Sequence, residues 1–503
     1  MSTNPNSSPN LPVELVEQIL GWVETPYREL ELLNKEIKRP NTYRNPSNPW
    51  LVSRRALRNA CLVSRVYNLV ARKLLYRNVM LLHATDIVLL FRTLLEEGGT
   101  NHQSPRDPGG LRSNIVNLVC LVTLFDESAI KDTARAWSDV PFPRHIEPSD
   151  MTALYLSNLD PGRVLYEETP GFQTTLQRLF GVLLGFTAQL KSITLQCPSD
   201  LADSEGYSSL DRVIRSLRQI AEPGNEVLSC LTTLAVQPAA SSHATSERMR
   251  RGPNLFVGFL ELPTLQTLYA RTSIGPLDVD DFAGGLALEH VTLHGSSSLA
   301  DDIESYAELC PNLRRLEIFC LPSDMRTMDT ALSHVADRLK SLALRLVPYT
   351  PSEFLDNDHV PSLHDTLTCL TDLIIEDRLL FRNVAEMERV GLAQRLPPSL
   401  VSLVLVEQWG ASGRHMDGAA STQVDAMFRA LNYASSQFPE ALPALRSFVF
   451  DRSQHWLWQG HPADAAFRSQ YPALKDAFSP TNIKFVILDS RSHSFAPSER
   501  GPA

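Results

Sequence analysis

Apolar residues at Leu11, Leu15, Val16, Ile19, Leu20 and Val23 recur every three to five positions, the spacing that gathers side chains onto one stripe of a helix. Glu14, Glu17 and Gln18 take the other face, and Pro12 suits a first turn, where its missing N–H would have no partner. A second stripe, Leu57, Cys61, Leu62, Val66, Leu69, Val70, Leu74 and Leu75, predicts another helical stretch within Ala56 to Leu82. Between the two, "NTYRNPSNPW" reads as a loop, because Asn and Pro favour turns. An isolated helix of about 12 residues is marginal in water. The first stripe therefore needs cover, either from its own domain or from a partner.

Beyond residue 110 the pattern changes to a six-residue phrase with apolar residues at its first, fourth and sixth positions. It occurs as "LKSITL" (Leu190), "LTTLAV" (Leu231), "LEHVTL" (Leu288), "LRRLEI" (Leu313), "LKSLAL" (Leu339), "LTDLII" (Leu370), "LVSLVL" (Leu400), "LRSFVF" (Leu445) and "IKFVIL" (Ile483), with weaker copies at Met151 and Leu265. In "DIESYAELCPNLRRLEIF" the phrase follows an amphipathic helix and a Pro-Asn break. Helix, turn and short strand, repeated, predicts an α/β fold whose units stack into a solenoid with a parallel sheet on its concave side. A doubly wound α/β domain also alternates helix and strand, but does not require one phrase throughout.

A strand period of two assigns the faces. Leu316 and Ile318 point to the core, so Arg315, Glu317 and Phe319 line the concave face. Early repeats then present Ser192, Thr194 and Gln196, followed by His290, Thr292 and His294. Late repeats present Ile374, Val404, Val406, Val449 and Ile487 among Asp372, Glu376, Asp451 and Asp489. Such an apolar patch is unexpected on a face open to water. Either a partner covers it, or the chain's own "SQHWLWQGHP", with Trp456 and Trp458, folds over it. The partner reading makes Phe319, Ile374, Val404, Val406, Val449, Trp456 and Trp458 the candidate substrate-binding residues.

The pair "LPVELVEQIL" and "LRNACLVSRVYNLVARKLLYRNVML" resembles the F-box in the form common in fungal proteins. Tyr67 stands where Trp is commoner, and the segment from Glu24 to Trp50 is longer than the usual linker. The resemblance implies a small all-helical module at 11–82 that docks a Skp-type adaptor and, through it, cullin. Its adaptor-binding residues would be Leu11, Pro12, Glu14, Leu15, Ile19, Leu20, Leu57, Cys61, Leu62, Val63, Tyr67 and Val70. "CPNLRRLEI" is similar to the cysteine-containing leucine-rich repeat often found behind an F-box, and start-to-start intervals of 25, 26, 31 and 30 residues from Leu288 to Leu400 fall within or near such periods. The implied organisation is a tail at 1–10, the module at 11–82, an irregular leucine-rich-repeat solenoid at 83–490 and a tail at 491–503, both tails Ser/Pro-rich and expected to be disordered. The implied role is substrate recognition in a Skp–cullin–F-box ubiquitin ligase; a scaffold that binds a partner without ubiquitin transfer is the alternative.

Charge adds one feature to this picture. The 503-residue chain carries a net −10, yet Leu11 to Leu82 holds 12 Lys and Arg against 6 Glu, and no acidic residue lies between Ile37 and Thr85. That bias suits an acidic partner or a solvated basic face, and a pI near 5.8 argues against nucleic acid. No apolar run approaches the roughly 18 residues of a membrane span, and the beginning of the chain has neither part of a signal peptide, so a cytoplasmic or nuclear setting is expected. The seven cysteines are scattered and form no C-x-x-C pair, which gives no disulfide frame or zinc site. Asp278 to Asp281 lack the spacing of a calcium hand, His290 and His294 lack a third metal ligand, and Asn6 begins an N-S-S triplet without a route to glycosylation. No catalytic signature is present, so a binding protein without a cofactor is expected.

Overall fold

A computed structural model describes residues 12–23, 49–99, 111–121, 171–197, 209–220, 228–238, 256–270, 277, 282, 284–294, 299–321, 324–346, 361–381, 384–407, 420–452 and 468–489. Leu11, the two tails, most of the 24–50 insertion, the phrase at Met151, Asp278 to Asp281, and Trp456 and Trp458 lie outside them. The chain forms two compact units, Met1–Arg248 with Gly252–Gln266, and Met249–Arg251 with Thr267–Ala503. The helical segment expected as a separate module is part of the first unit.

That segment forms three helices where two stripes were visible. Helix α1 (Val13–Val23) begins at the expected place, α2 (Pro49–Ala60) takes its first residue from the proline that closes the supposed loop, and α3 (Arg65–Arg77) follows. The second stripe divides because Ser64, in an extended conformation, accepts a hydrogen bond from the Tyr67 N–H at 3.3 Å and starts a new helix. Val16, Leu20, Leu57, Val70, Ala71 and Leu75 close a small core among the three.

Arg77 ends α3 and Asn78 begins strand β1 (Asn78–Leu81) without a connecting residue. Strands β2 (Asn117–Cys120), β3 (Ser192–Cys197) and β4 (Thr233–Pro238) follow in parallel and in chain order, with α4 (Ala84–Gly99), α5 (Gly171–Gly185) and α6 (Ser209–Ile220) in the connections. Trp50 and Leu51 of α2 pack over Met80 and Val119, which leaves β1 and β2 covered on both faces. Ser192 and Thr194, expected to line an open face, are buried as well; Thr194 sits beside Val119 in the ladder, next to the strands that Trp50 covers.

In the second unit β5 (Thr267–Ala270), β6 (His290–His294), β7 (Arg315–Cys320), β8 (Ser341–Leu346), β9 (Asp372–Glu376), β10 (Ser402–Val406), β11 (Ser447–Arg452) and β12 (Lys484–Asp489) are again parallel and in chain order. Helices α7 (Leu299–Leu309), α8 (Met325–Ser333), α9 (Val384–Val390), α10 (Ala420–Ala441) and α11 (Tyr471–Phe478) lie in the connections. Among the described residues the strands show no reversal of order, the mark of a doubly wound fold. This is an α/β repeat consistent with a solenoid.

The phrase has a physical meaning in each repeat. Its first residue, as in Leu288, Leu313, Leu339, Leu370 and Leu400, is buried at the turn, and the fourth and sixth point inward from the strand. The residue after the first then donates its N–H to the previous repeat: Arg314 to the Glu289 carbonyl at 2.9 Å, Lys340 to Arg314 at 2.8 Å, Thr371 to Lys340 at 2.9 Å and Val401 to Thr371 at 2.8 Å. A turn whose polar backbone would otherwise be buried unpaired is thus satisfied by its neighbour. Phe438, Phe448, Phe478 and Phe485 interlock at the final repeats, with the last two rings stacked at 4.4 Å.

Candidate protein-docking surfaces

Helix α1 splits its apolar residues between two environments. Val16 and Leu20 enter the three-helix core, whereas Pro12, Val13, Leu15 and Ile19 stay exposed, as does Glu14. Between α2 and α3 the turn is held by the Ser64 cap and by the Asn68 side chain, which donates to the Cys61 carbonyl at 3.0 Å. This turn projects Leu62 and Val63 into solvent, 86% and 67% exposed. Leu69 is exposed one turn into α3, and Cys61 and Tyr67 are half-buried against the core.

Three of the residues expected to meet an adaptor do not reach the surface. Leu20, Leu57 and Val70 belong to the core that joins the helices, where Val16 with Leu20 and Ala71 with Leu75, each four apart, share one helix face and Leu57 enters from α2. Burial also pushes the Cys61 thiol above its ordinary range. Around the exposed apolar side chains stand the exposed cations Arg55, Arg58, Arg65, Arg72, Lys73 and Arg77. Arg54 instead turns inward, where its guanidinium packs 5.1 Å from the Trp50 ring centroid and donates to the carbonyls of Leu75 and Asn78. It ties α2 to the point where α3 becomes β1. The sequence contained no pointer to that link.

The second surface is the outward face of the eight strands of the second unit. Registers align Ala343, Ile374, Val404, Val449 and Val486 in one row. All but Ala343 are half-buried. Val486 replaces Ile487, which pairs with Phe450 and faces inward. The expected register at Ile483 is therefore off by one residue, and a slip of one reverses every side chain. Phe319 is half-buried on the outward face, stacked on His294 at 5.4 Å. Val406 shares the row of Glu376 but is buried, which removes it from the exposed strip.

Charged pairs differ between the two sides of the sheet. On the outward face Arg345 Nε lies 3.6 Å from Glu317 Oε1, while on the inward side, in phase with Phe448 and Phe450, Arg452, whose pKa is raised, forms a buried pair with Glu407 and donates to Tyr471 Oη at 3.1 Å. His290 meets Tyr269 edge-on at 5.1 Å and is pushed down to about 4 by burial and by Arg315, so it is neutral near pH 7. Among the described residues no three His, Cys, Asp or Glu side chains gather as metal ligands, and no helix is long and apolar enough to cross a membrane. Compared with family models and with curated proteins, the chain matches none.

Proposed function

We propose that the chain is the substrate-recognition subunit of a Skp–cullin–F-box ubiquitin ligase, with the three N-terminal helices docking the adaptor and the sheet face of the second unit holding a protein substrate. One observation carries this reading: the three-helix core is already closed, yet Val13, Leu15, Ile19, Leu62, Val63 and Leu69 remain in water on the same helices. Covering six such side chains at ~1.5 to 3 kcal/mol each offers on the order of 10 kcal/mol before the cost of association. Surrounding cations suit the acidic adaptor that the F-box resemblance implies. The chemistry is proximity: a held substrate meets recruited transfer machinery at raised effective concentration.

Leu15→Arg combined with Leu62→Arg is expected to abolish adaptor pull-down while leaving the circular dichroism spectrum intact; unchanged recovery of the adaptor defeats the assignment. Cullin should co-purify with the tagged wild-type chain. Adaptor without cullin favours a scaffold that transfers no ubiquitin.

A further inference from the structure

The outward face of the second unit is not uniform along the sheet. Toward β12 its middle row is aliphatic, with Ile374, Val404, Val449 and Val486 on consecutive strands. At β8 and β7 the same row continues as Ala343 and Glu317, the latter paired with Arg345, and further cations stand beside it. Arg314, Arg315 and Lys340 are exposed at the start of these two strands and have no ion-pair partner among the described residues. Arg314 and Lys340 are ladder neighbours, since the Lys340 N–H donates to the Arg314 carbonyl at 2.8 Å; adjacent strands lie about 4.8 Å apart. Glu289 and Asp372 stand on the strands to either side. Asp372 accepts from Thr371 Oγ1 at 2.7 Å. With the Glu317–Arg345 pair counted, four cations stand against three carboxylates at this end in a chain of net −10. Arg446 and Lys484 are exposed at the start of β11 and β12 as well, but among the described residues only this end adds aromatic rings, His294 on β6 stacked on Phe319 of β7.

Aromatic rings and arginines beside an aliphatic strip are the composition of protein-binding hot spots. Like charges held together without partners on an otherwise acidic protein call for an anionic one. We propose that this face takes an extended protein segment whose aliphatic side chains cover the middle row over β9 to β12 and whose Asp or Glu residues meet the cations at the strand starts, Arg314, Arg315 and Lys340 of β7 and β8 foremost. The inference rests on the reading of the sheet face as the substrate site and names the substrate's chemistry. Strand spacing sets the length: six gaps from β6 to β12 span about 29 Å, which an extended segment of about nine residues covers.

The test is fluorescence anisotropy with the full chain and labelled synthetic peptides of that length. An acidic–aliphatic peptide should bind, weaken at high salt, and bind about tenfold more weakly to Arg314→Glu with Lys340→Glu, both exposed sites. Val404→Asp should weaken it too, and thermal melting of each variant separates lost binding from lost folding. Equal binding of a Lys-aliphatic peptide, binding indifferent to charge reversal, no binding at all, or binding of a phosphorylated peptide alone each overturns the proposal. Adaptor pull-down on the same preparations keeps the two ideas apart. Peptide failure with adaptor retained removes only this inference, whereas peptide binding without adaptor removes the ligase reading and leaves the acidic–aliphatic specificity standing.

Discussion

Leu57 and Leu62 are five residues apart, and their fates are opposite. Leu57 is 2% exposed in the three-helix core and Leu62 is 86% exposed on the following turn. Leu57→Ala should cost about 2 to 5 kcal/mol in urea denaturation, while Leu62→Ala should stay within about 0.5 kcal/mol of wild type and weaken only adaptor binding. The sequence showed both as members of one stripe. It could not show that α2 ends at Ala60, between them, and that the Ser64 cap starts a new helix beyond Leu62, since capping depends on a backbone conformation. At Asp211 the environment of a single carboxylate decides a pH dependence. It is buried, accepts a hydrogen bond from the Gly258 N–H, and faces Arg215, Arg218 and Glu261. Desolvation raises it from 3.8 to about 6 despite the Gly258 bond and the arginines. A raised carboxyl stabilises the fold while protonated, so this contribution is full below 3.8 and lost as pH rises through about 6. Asp211→Asn keeps the acceptor without the charge. It should raise the melting temperature at pH 7 to 8, by up to about 3 kcal/mol of stability, and change little near pH 4. Gly258 must lack a side chain, because a Cβ would lie 2.9 Å from Asp211 Oδ1; Gly258→Ala should destabilise at both pH values by about 1 to 3 kcal/mol.

Between elements, arginine serves a recurrent purpose that the apolar pattern could not reveal. Arg54 reaches the Leu75 carbonyl in the last turn of α3, Arg338 the Ala307 carbonyl near the end of α7, and Arg218 the carbonyls of Gly258 and Glu261 in the short Val257–Leu260 helix and its cap. Helix ends leave carbonyls without intrahelical donors and carry partial negative charge, so a cation from another segment answers both needs. Arg338→Leu should cost about 1 to 3 kcal/mol, read as a lower urea midpoint with an unchanged slope. The phrase itself was well legible: the repeats from Leu190 to Leu445 gave strands where expected, because the inward residues of a parallel strand between helices must be apolar. Strand β2 escaped notice although Ile115, Leu118 and Cys120 repeat the phrase. Strand β1 was hidden by the stretch that resembles an F-box. The slip at Ile483 arose because "IKFVIL" is apolar at too many positions for its own parity to be read.

For the whole molecule, the α/β class and the sequential order of strands followed from one recurring pattern, since a chain that repeats one helix–strand unit lays each strand beside the last. What escaped was the join between the N-terminal helices and the first strands. Trp50 over Met80 and Val119, Arg54 at the end of α3, and the direct passage from Arg77 to Asn78 leave no swivel at that junction. The helices are a bracket bolted to the first strands. Anything they grip is held at a set angle to that part of the sheet, as a tool is held by a vice and not by a tether. Three residues of Gly and Ser spliced between Arg77 and Asn78 would loosen the bracket. On the proposed function, recovery of the adaptor should then persist while substrate ubiquitination falls.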